Sequence, residues 1–132
     1  MPRTAQVGAR HTVNDIFSRP VFARLRRLCL ALPEVSETSS WGHPNFRANR
    51  RTFCTFEMVK GRPSIAFRLK PALRARARRM LAGFVTPYGR GQWVSVWLDG
   101  RVNWKIVTAL VEHSYREIAG ERLIRQLRSR RT

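Results

Sequence analysis

The apolar positions of this chain change period several times, and each change marks an element. Phe22, Leu25, Leu28, Cys29 and Leu32 recur at three- and four-residue steps, the spacing of one buried helix face. Ser18 is placed to cap that helix, and Pro20 falls in its first turn, where the missing N–H costs no intrahelical bond. Arg24 and Arg27 then point outward, and Pro33 stops the run. From Val35 the period falls to two. Val35 to Trp41 alternates weakly until Gly42 and Pro44 break it. Asn45 to Val59 reads as a hairpin turning near Asn49 and Arg50, with Phe46 and Ala48 before the turn and Phe53 and Phe56 after it. Gly61 marks the next turn. Arg62 to Lys70 is a strand with Ile65, Phe67 and Leu69 on one face and Ala66 and Arg68 on the other.

A helical period returns at Pro71. Leu73, Ala77, Met80, Leu81 and Phe84 form its stripe, Gly83 fits a C-terminal cap, and Arg74, Arg76, Arg78 and Arg79 take the remaining surface. Thr86 to Gly91 is loop. Gln92 to Leu98 is a strand with Trp93, Ser95 and Trp97 facing one way and Val94, Val96 and Leu98 the other, and Asp99-Gly100 is a turn signal. Asn103 caps the last long helix. Trp104, Val107, Val111, Tyr115 and Ile118 are its stripe, widened by Ile106 and Leu110. Gly120 interrupts it before the amphipathic, basic end of the chain. The order helix, strands, helix, strand, helix predicts an α+β fold, an antiparallel sheet packed against N-terminal, middle and C-terminal helices. Residues 1–15 are expected to be a flexible basic segment, 16–120 a single domain and 121–132 a basic C-terminal extension.

A chain of 132 residues, 43% of them hydrophobic, suits one domain with a real core. No apolar run reaches the roughly 18–20 residues of a membrane span, and the first residues lack the apolar centre of a signal peptide. The expectation is a soluble, cytoplasmic protein. Charge sharpens this picture. The net value is +18, from 26 basic and 8 acidic residues. Such a field attracts polyanions, nucleic acid first and anionic membrane surface second. Only Lys60, Lys70 and Lys105 are lysines, so part of the excess reflects a preference for arginine. The bases are spread along the whole chain, so the folded body itself is basic.

Candidate phosphate contacts sit on two hairpin tips: Arg47, Arg50 and Arg51 around Asn49, and Lys60 and Arg62 around Gly61. Arg90, between Gly89 and Gly91, adds a third place where backbone can approach a phosphate. The bland alternative is an ordinary solvated turn, or edge charge that blocks aggregation. The four arginines after Leu73 span more than one side of a helix and cannot all face one ligand. Gly89-Arg90-Gly91 lacks the Lys and Ser/Thr of a phosphate-binding P-loop. Trp93 and Trp97 are expected to pack under a helix rather than stack on bases, and Trp41 and Trp104 share that core preference. Cys29 and Cys54 have no metal-ligand spacing and read as buried free thiols. His11, His43 and His113 are too dispersed for a metal site. No GxSxG, HExxH or paired-carboxylate signature appears, so neither an enzyme nor a cofactor is expected. His43, beside Trp41, could line a small ligand pocket.

The segments ALPEVSETSSWGHPNFRANRRTFCTF, IAFRLKP, TPYGRGQWVSVWL and VNWKIVTALVEHSYREIA, in that order, resemble the MmcQ/YjbR family over about Leu28 to Ala119. Leu32-Pro33 with Glu37, Trp41-Gly42-His43-Pro44, Phe53, Trp93-Val94 and Ser114-Tyr115 carry the resemblance. It implies a compact fold similar to frataxin/CyaY and a DNA-binding double-wing arrangement. The frataxin likeness would also imply iron, which needs a ridge of carboxylates, whereas the eight acids here are scattered. The reading is a non-enzymatic protein binding double-stranded DNA through backbone contacts of its basic hairpins. The alternative is a small-molecule-binding or protein-interaction domain.

Overall fold

The computed structural model describes residues 19–40, 42–80, 84–85 and 92–131. Four helices and six strands lie within them: α1 (Pro20–Leu30), β1 (Ser36–Ser40), β2 (His43–Ala48), β3 (Arg51–Val59), β4 (Arg62–Arg68), α2 (Pro71–Met80), β5 (Phe84–Val85), β6 (Trp93–Trp97), α3 (Trp104–Ala119) and α4 (Glu121–Arg130). The strands form one sheet in the order β1-β2-β3-β4-β6-β5, antiparallel throughout. The α+β expectation stands. Short turns explain the pairing of β1 through β4, because consecutive antiparallel strands need only a tight reversal. Asn49 and Arg50, and then Lys60 and Gly61, all take positive φ, the backbone of hairpin turns whose twist matches the strands.

One irregularity controls the sheet's inner face. Phe46 pairs with Cys54, but Arg47 pairs with Thr52. Phe53 is therefore an extra residue on β3, a bulge. Alternation is suspended there, and both Phe53 and Cys54 are fully buried. Phe53 meets Tyr115 of α3 edge-on, with centroids 5.6 Å apart. Three residues along, Phe56 meets Phe22 of α1 at 5.1 Å. Five phenylalanines, Phe22, Phe46, Phe53, Phe56 and Phe67, are at most 1% exposed. Each such burial contributes roughly 1.5–3 kcal/mol. Cys29 and Cys54 are free, buried thiols. Burial first, then the hydrogen bond with Cys29, pushes the Cys54 thiol up.

The helix ends differ from the sequence reading in two places. The middle helix, read with Phe84 on its stripe, ends at Met80, and Phe84 instead pairs with Ser95 as part of β5, because sheet pairing claims it; Leu81 and the expected cap Gly83 lie outside the described residues. The N-cap of α1 is Arg19, which makes no side-chain cap bond; Ser18 lies outside the described residues. Asn103 does cap α3, its Oδ1 accepting from Ile106 N at 3.2 Å. Gly120, at φ 84°, separates α3 from α4. The segment expected to be an extension is a packed helix: Leu123 and Leu127 are buried in the same core as Phe22 and Tyr115. Its basic residues cover an apolar stripe, and that stripe decides its place.

The tryptophans also differ from expectation. Trp93 and Trp97 are half-buried and share a face with Ser95, opposite the Val94 and Val96 that join the core. The Arg62 guanidinium lies 3.9 Å over the Trp97 ring. Trp104 does pack against the core, with Arg24 above it at 4.5 Å. Trp41 lies outside the described residues. No described helix is long and apolar enough to cross a membrane.

Two substitutions test this packing. Leu123→Ala should cost about 2–4 kcal/mol in urea unfolding, with the midpoint lowered and the slope unchanged; a cost below ~0.5 kcal/mol would detach α4 from the core. Tyr115→Phe removes a 2.7 Å donation from the buried hydroxyl to Pro33 O and should cost about 1–3 kcal/mol in the same experiment.

Candidate nucleic-acid interface

All seven described carboxylates are engaged by a base. Glu37 pairs with Arg26, Glu57 lies 3.6 Å from His43, Asp99 pairs with Arg62, and Glu117 is 4.0 Å from Lys70. Glu112 takes Arg116 and Arg131, Glu34 takes Arg122, and Glu121 takes Arg125. The described bases far outnumber them, so many arginines have no carboxylate partner.

Several arginines nonetheless act as ties between elements. Arg122 grips Glu34 through two bonds of 2.8 and 2.9 Å, and Arg131 grips Glu112 at 2.8 and 2.7 Å. Arg130 donates to Ala31 O at 2.9 Å, and Arg74 to Leu69 O at 2.6 Å. A planar fork with five donors makes such two-point contacts, which lysine cannot. Part of the arginine preference is therefore structural.

Arg62 belongs to this structural group. It makes two bonds to Asp99, at 2.7 and 3.0 Å, while stacking on Trp97. The Arg62 hydrogen bond is the main cause holding Asp99 below its ordinary carboxylate range. Its guanidinium is occupied, which weakens its case as a phosphate contact. Lys60 is exposed beside it. The two hairpin tips, however, cap opposite ends of β3, a strand of 9 residues, and stand roughly 30 Å apart at ~3.3 Å per residue. The structure does not unite Lys60 and Arg62 with Arg47, Arg50 and Arg51. Arg90 lies outside the described residues.

The β2–β3 tip has a different character. Asn49, Arg50 and Arg51 are exposed. Asn49 Nδ2 donates to Ile118 O near the end of α3 at 3.1 Å, and Arg47 donates to Arg50 O at 2.6 Å. These bonds brace the turn from both sides. Cross-strand partners share a sheet face. Arg51 pairs with the buried Ala48, on the helix side, whereas Arg47 pairs with Thr52 and Ser36 on the other side. The bulge at Phe53 produces this split, since one extra residue shifts every following side chain to the opposite face. The arginines thus straddle the tip. Beside it is a polar hollow of about 360 Å³, lined by Ser36, Thr38, Arg47, Asn49, Arg50 and Glu34. Its one carboxylate, Glu34, is kept ionised by the Arg122 hydrogen bond, which lowers its pKa.

His43 and Trp41 were candidates for a ligand pocket. His43 Nδ1 is buried without a hydrogen-bond partner among the described residues, while Nε2 faces Glu57. Trp41 lies outside them. On α3, Ser114 is fully buried while its neighbour His113 is exposed, so a base and a hydroxyl adjacent in sequence do not meet. Among the described residues no three His, Cys, Asp or Glu side chains come together to hold a metal.

A basic α+β domain with one antiparallel sheet, a helical layer and a braced arginine hairpin is the class of protein that fold and surface define. The chain belongs to the YjbR family, whose model matches residues 30–117. No curated protein matches it. Among solved structures it is similar to a Deinococcus radiodurans protein with a DUF419 domain, at TM-score 0.64 and 19% identity over 78% of this chain and 84% of that one. A Pseudomonas syringae protein matches at TM-score 0.55 and 16% identity, covering 65% and 88%. A DUF1801-family protein of Bacillus subtilis matches at 0.54 and 14%, covering 81% and 90%. At these identities the likeness is one of fold.

The Glu112 clamp yields a pH prediction. The Arg131 hydrogen bond is the main cause holding the Glu112 carboxyl below its ordinary range. A carboxylate whose folded pKa is depressed stabilises the fold above its unfolded value, about 4.3, and loses that contribution as pH falls through the folded value. The stability gap between the wild type and Arg131→Gln should be constant from neutral pH down to about 5 and should close below it. A gap unchanged down to about pH 3 would mean that Arg131 stabilises by packing alone.

Proposed function

We propose that this protein binds double-stranded DNA through the β2–β3 hairpin tip, with Arg47, Arg50 and Arg51 on phosphates and no reading of base sequence. The observation that supports this most is the arginine tip itself: it is braced, exposed, free of any described carboxylate partner except the Arg122-neutralised Glu34 beside it, and basic on both faces. A thin hairpin with cations on its two faces suits a groove flanked by two phosphate backbones. Its two faces would meet opposite strands. Bracing lowers the ordering cost of binding. The remaining positive charge attracts the duplex over distance and adds diffuse affinity. The role is non-enzymatic, exercised in the cytoplasm.

The test is the affinity of the full chain for a labelled duplex across a salt series. Arg47→Ala/Arg50→Ala/Arg51→Ala should flatten the slope of log K against log salt by about 2–3, at ~0.9 per phosphate contact. Lys60→Ala, at the far end of β3, should change it by less than ~0.5. Equal effects from both ends would replace a defined interface with diffuse charge.

A further inference from the structure

Between α2 and α3 runs a second feature, a slot of about 290 Å³. Leu73 and Ala77 of α2 and Ile106 and Leu110 of α3 line it with apolar surface, and Ala109 leaves it open. Lys105, Ala109 and His113 recur every four residues on α3, so the slot runs about 12 Å along that helix at ~1.5 Å per residue. Arg76, Lys105 and His113 stand on its rim, and among the described residues no carboxylate lines it.

The state of these cations distinguishes the slot from the larger groove between α1, α3 and α4. In that groove three of the four arginines are engaged, Arg24 over Trp104, Arg130 with Ala31 O and Arg131 with Glu112, leaving Arg27. Arg76 and Lys105 are exposed and make no hydrogen bond or ion pair with any described residue. Lys105 also stands in the first turn of α3, which carries no acid. A positive charge there opposes the helix dipole and is a local disadvantage that folding does not explain.

An inorganic anion would use the rim and leave the apolar walls wet. A neutral apolar molecule would leave the cations unpaired. A ligand with both parts uses the whole slot, since small-molecule sites combine apolar walls with a few polar anchors. We propose that the α2–α3 slot binds a small organic acid, its carboxylate paired with Arg76 and Lys105 and its apolar body against Leu73, Ala77, Ile106 and Leu110. This goes beyond the DNA reading and rests on different elements, so either can fail without the other.

Decanoate is a suitable probe for the full-length chain, below its micellar concentration, with decanol and decyltrimethylammonium as neutral and cationic counterparts. Titration calorimetry and amide NMR shifts would be read together. Decanoate should shift amides around Leu73–Ala77 and Lys105–His113 and bind at least about tenfold more tightly than either counterpart. Arg76→Gln/Lys105→Gln should weaken decanoate about tenfold. Ala109→Phe, at an exposed position and with no change of charge, should fill the slot and abolish binding while leaving the DNA salt slope unchanged. If that variant's melt shows a damaged fold, the double glutamine variant decides. Equal affinity for decanol, shifts centred elsewhere, or decanoate binding retained in well-folded Ala109→Phe would overturn the proposal.

Discussion

The bulge at Phe53 is the constraint on which the inner face of this fold depends. A strand that alternated without interruption would bury Cys54 and Phe56 and turn Phe53 outward. The extra residue brings Phe53 inward as well, so β3 offers aromatic contacts to two helices at once. Phe56 meets Phe22 of α1, and Phe53 meets Tyr115 of α3. Tyr115 then reaches Pro33 O in the turn after α1, joining the helices through a bond sheltered from water. The same irregularity sets the faces of Arg47 and Arg51. Core packing and the geometry of the exposed tip are two consequences of one added residue.

Arginine has two roles on this surface. Some forks close gaps between elements: Arg26 to Glu37, Arg122 to Glu34, Arg131 to Glu112 and Arg62 to Asp99. These pairs use most of the scarce acids. What remains is an uncompensated positive surface on the β2–β3 tip and along α2. A high net charge self-repels in the compact state, so its retention after the acids are spent has a cost. The braced hairpin and the α2–α3 slot are two places where that charge has a definite setting, the first proposed to meet a polyanion and the second a small amphiphile.

The elements were legible because each depends on local chemistry. Asn103 capped its helix as read, since a side-chain oxygen three residues before an N–H needs no tertiary partner. The turns at Asn49-Arg50 and Lys60-Gly61 appeared where the strand period broke. The stripes of α1 and α3 matched their buried residues because periodicity records which face meets the core. The chain end reads as an amphipathic, basic extension, yet Leu123 and Leu127, four residues apart on one face, bury α4 in the core, a contact that local spacing alone does not specify.

By itself the sequence determined the α+β class, the antiparallel hairpins, the excess of positive charge and the family. Those properties rest on spacing, turn chemistry, composition and residue order. Tertiary structure decided which charges are available. Arg62 reads like Arg47 in the sequence, yet it is spent on Asp99 and Trp97, residues far along the chain. The two hairpin tips read as one set of phosphate contacts, yet β3 holds them at opposite ends of the sheet. The slot between α2 and α3 joins Arg76 to Lys105 across a stretch that contains two strands and a turn. Contacts distant in sequence are fixed only when the core closes, and the chemistry of a surface follows from those contacts.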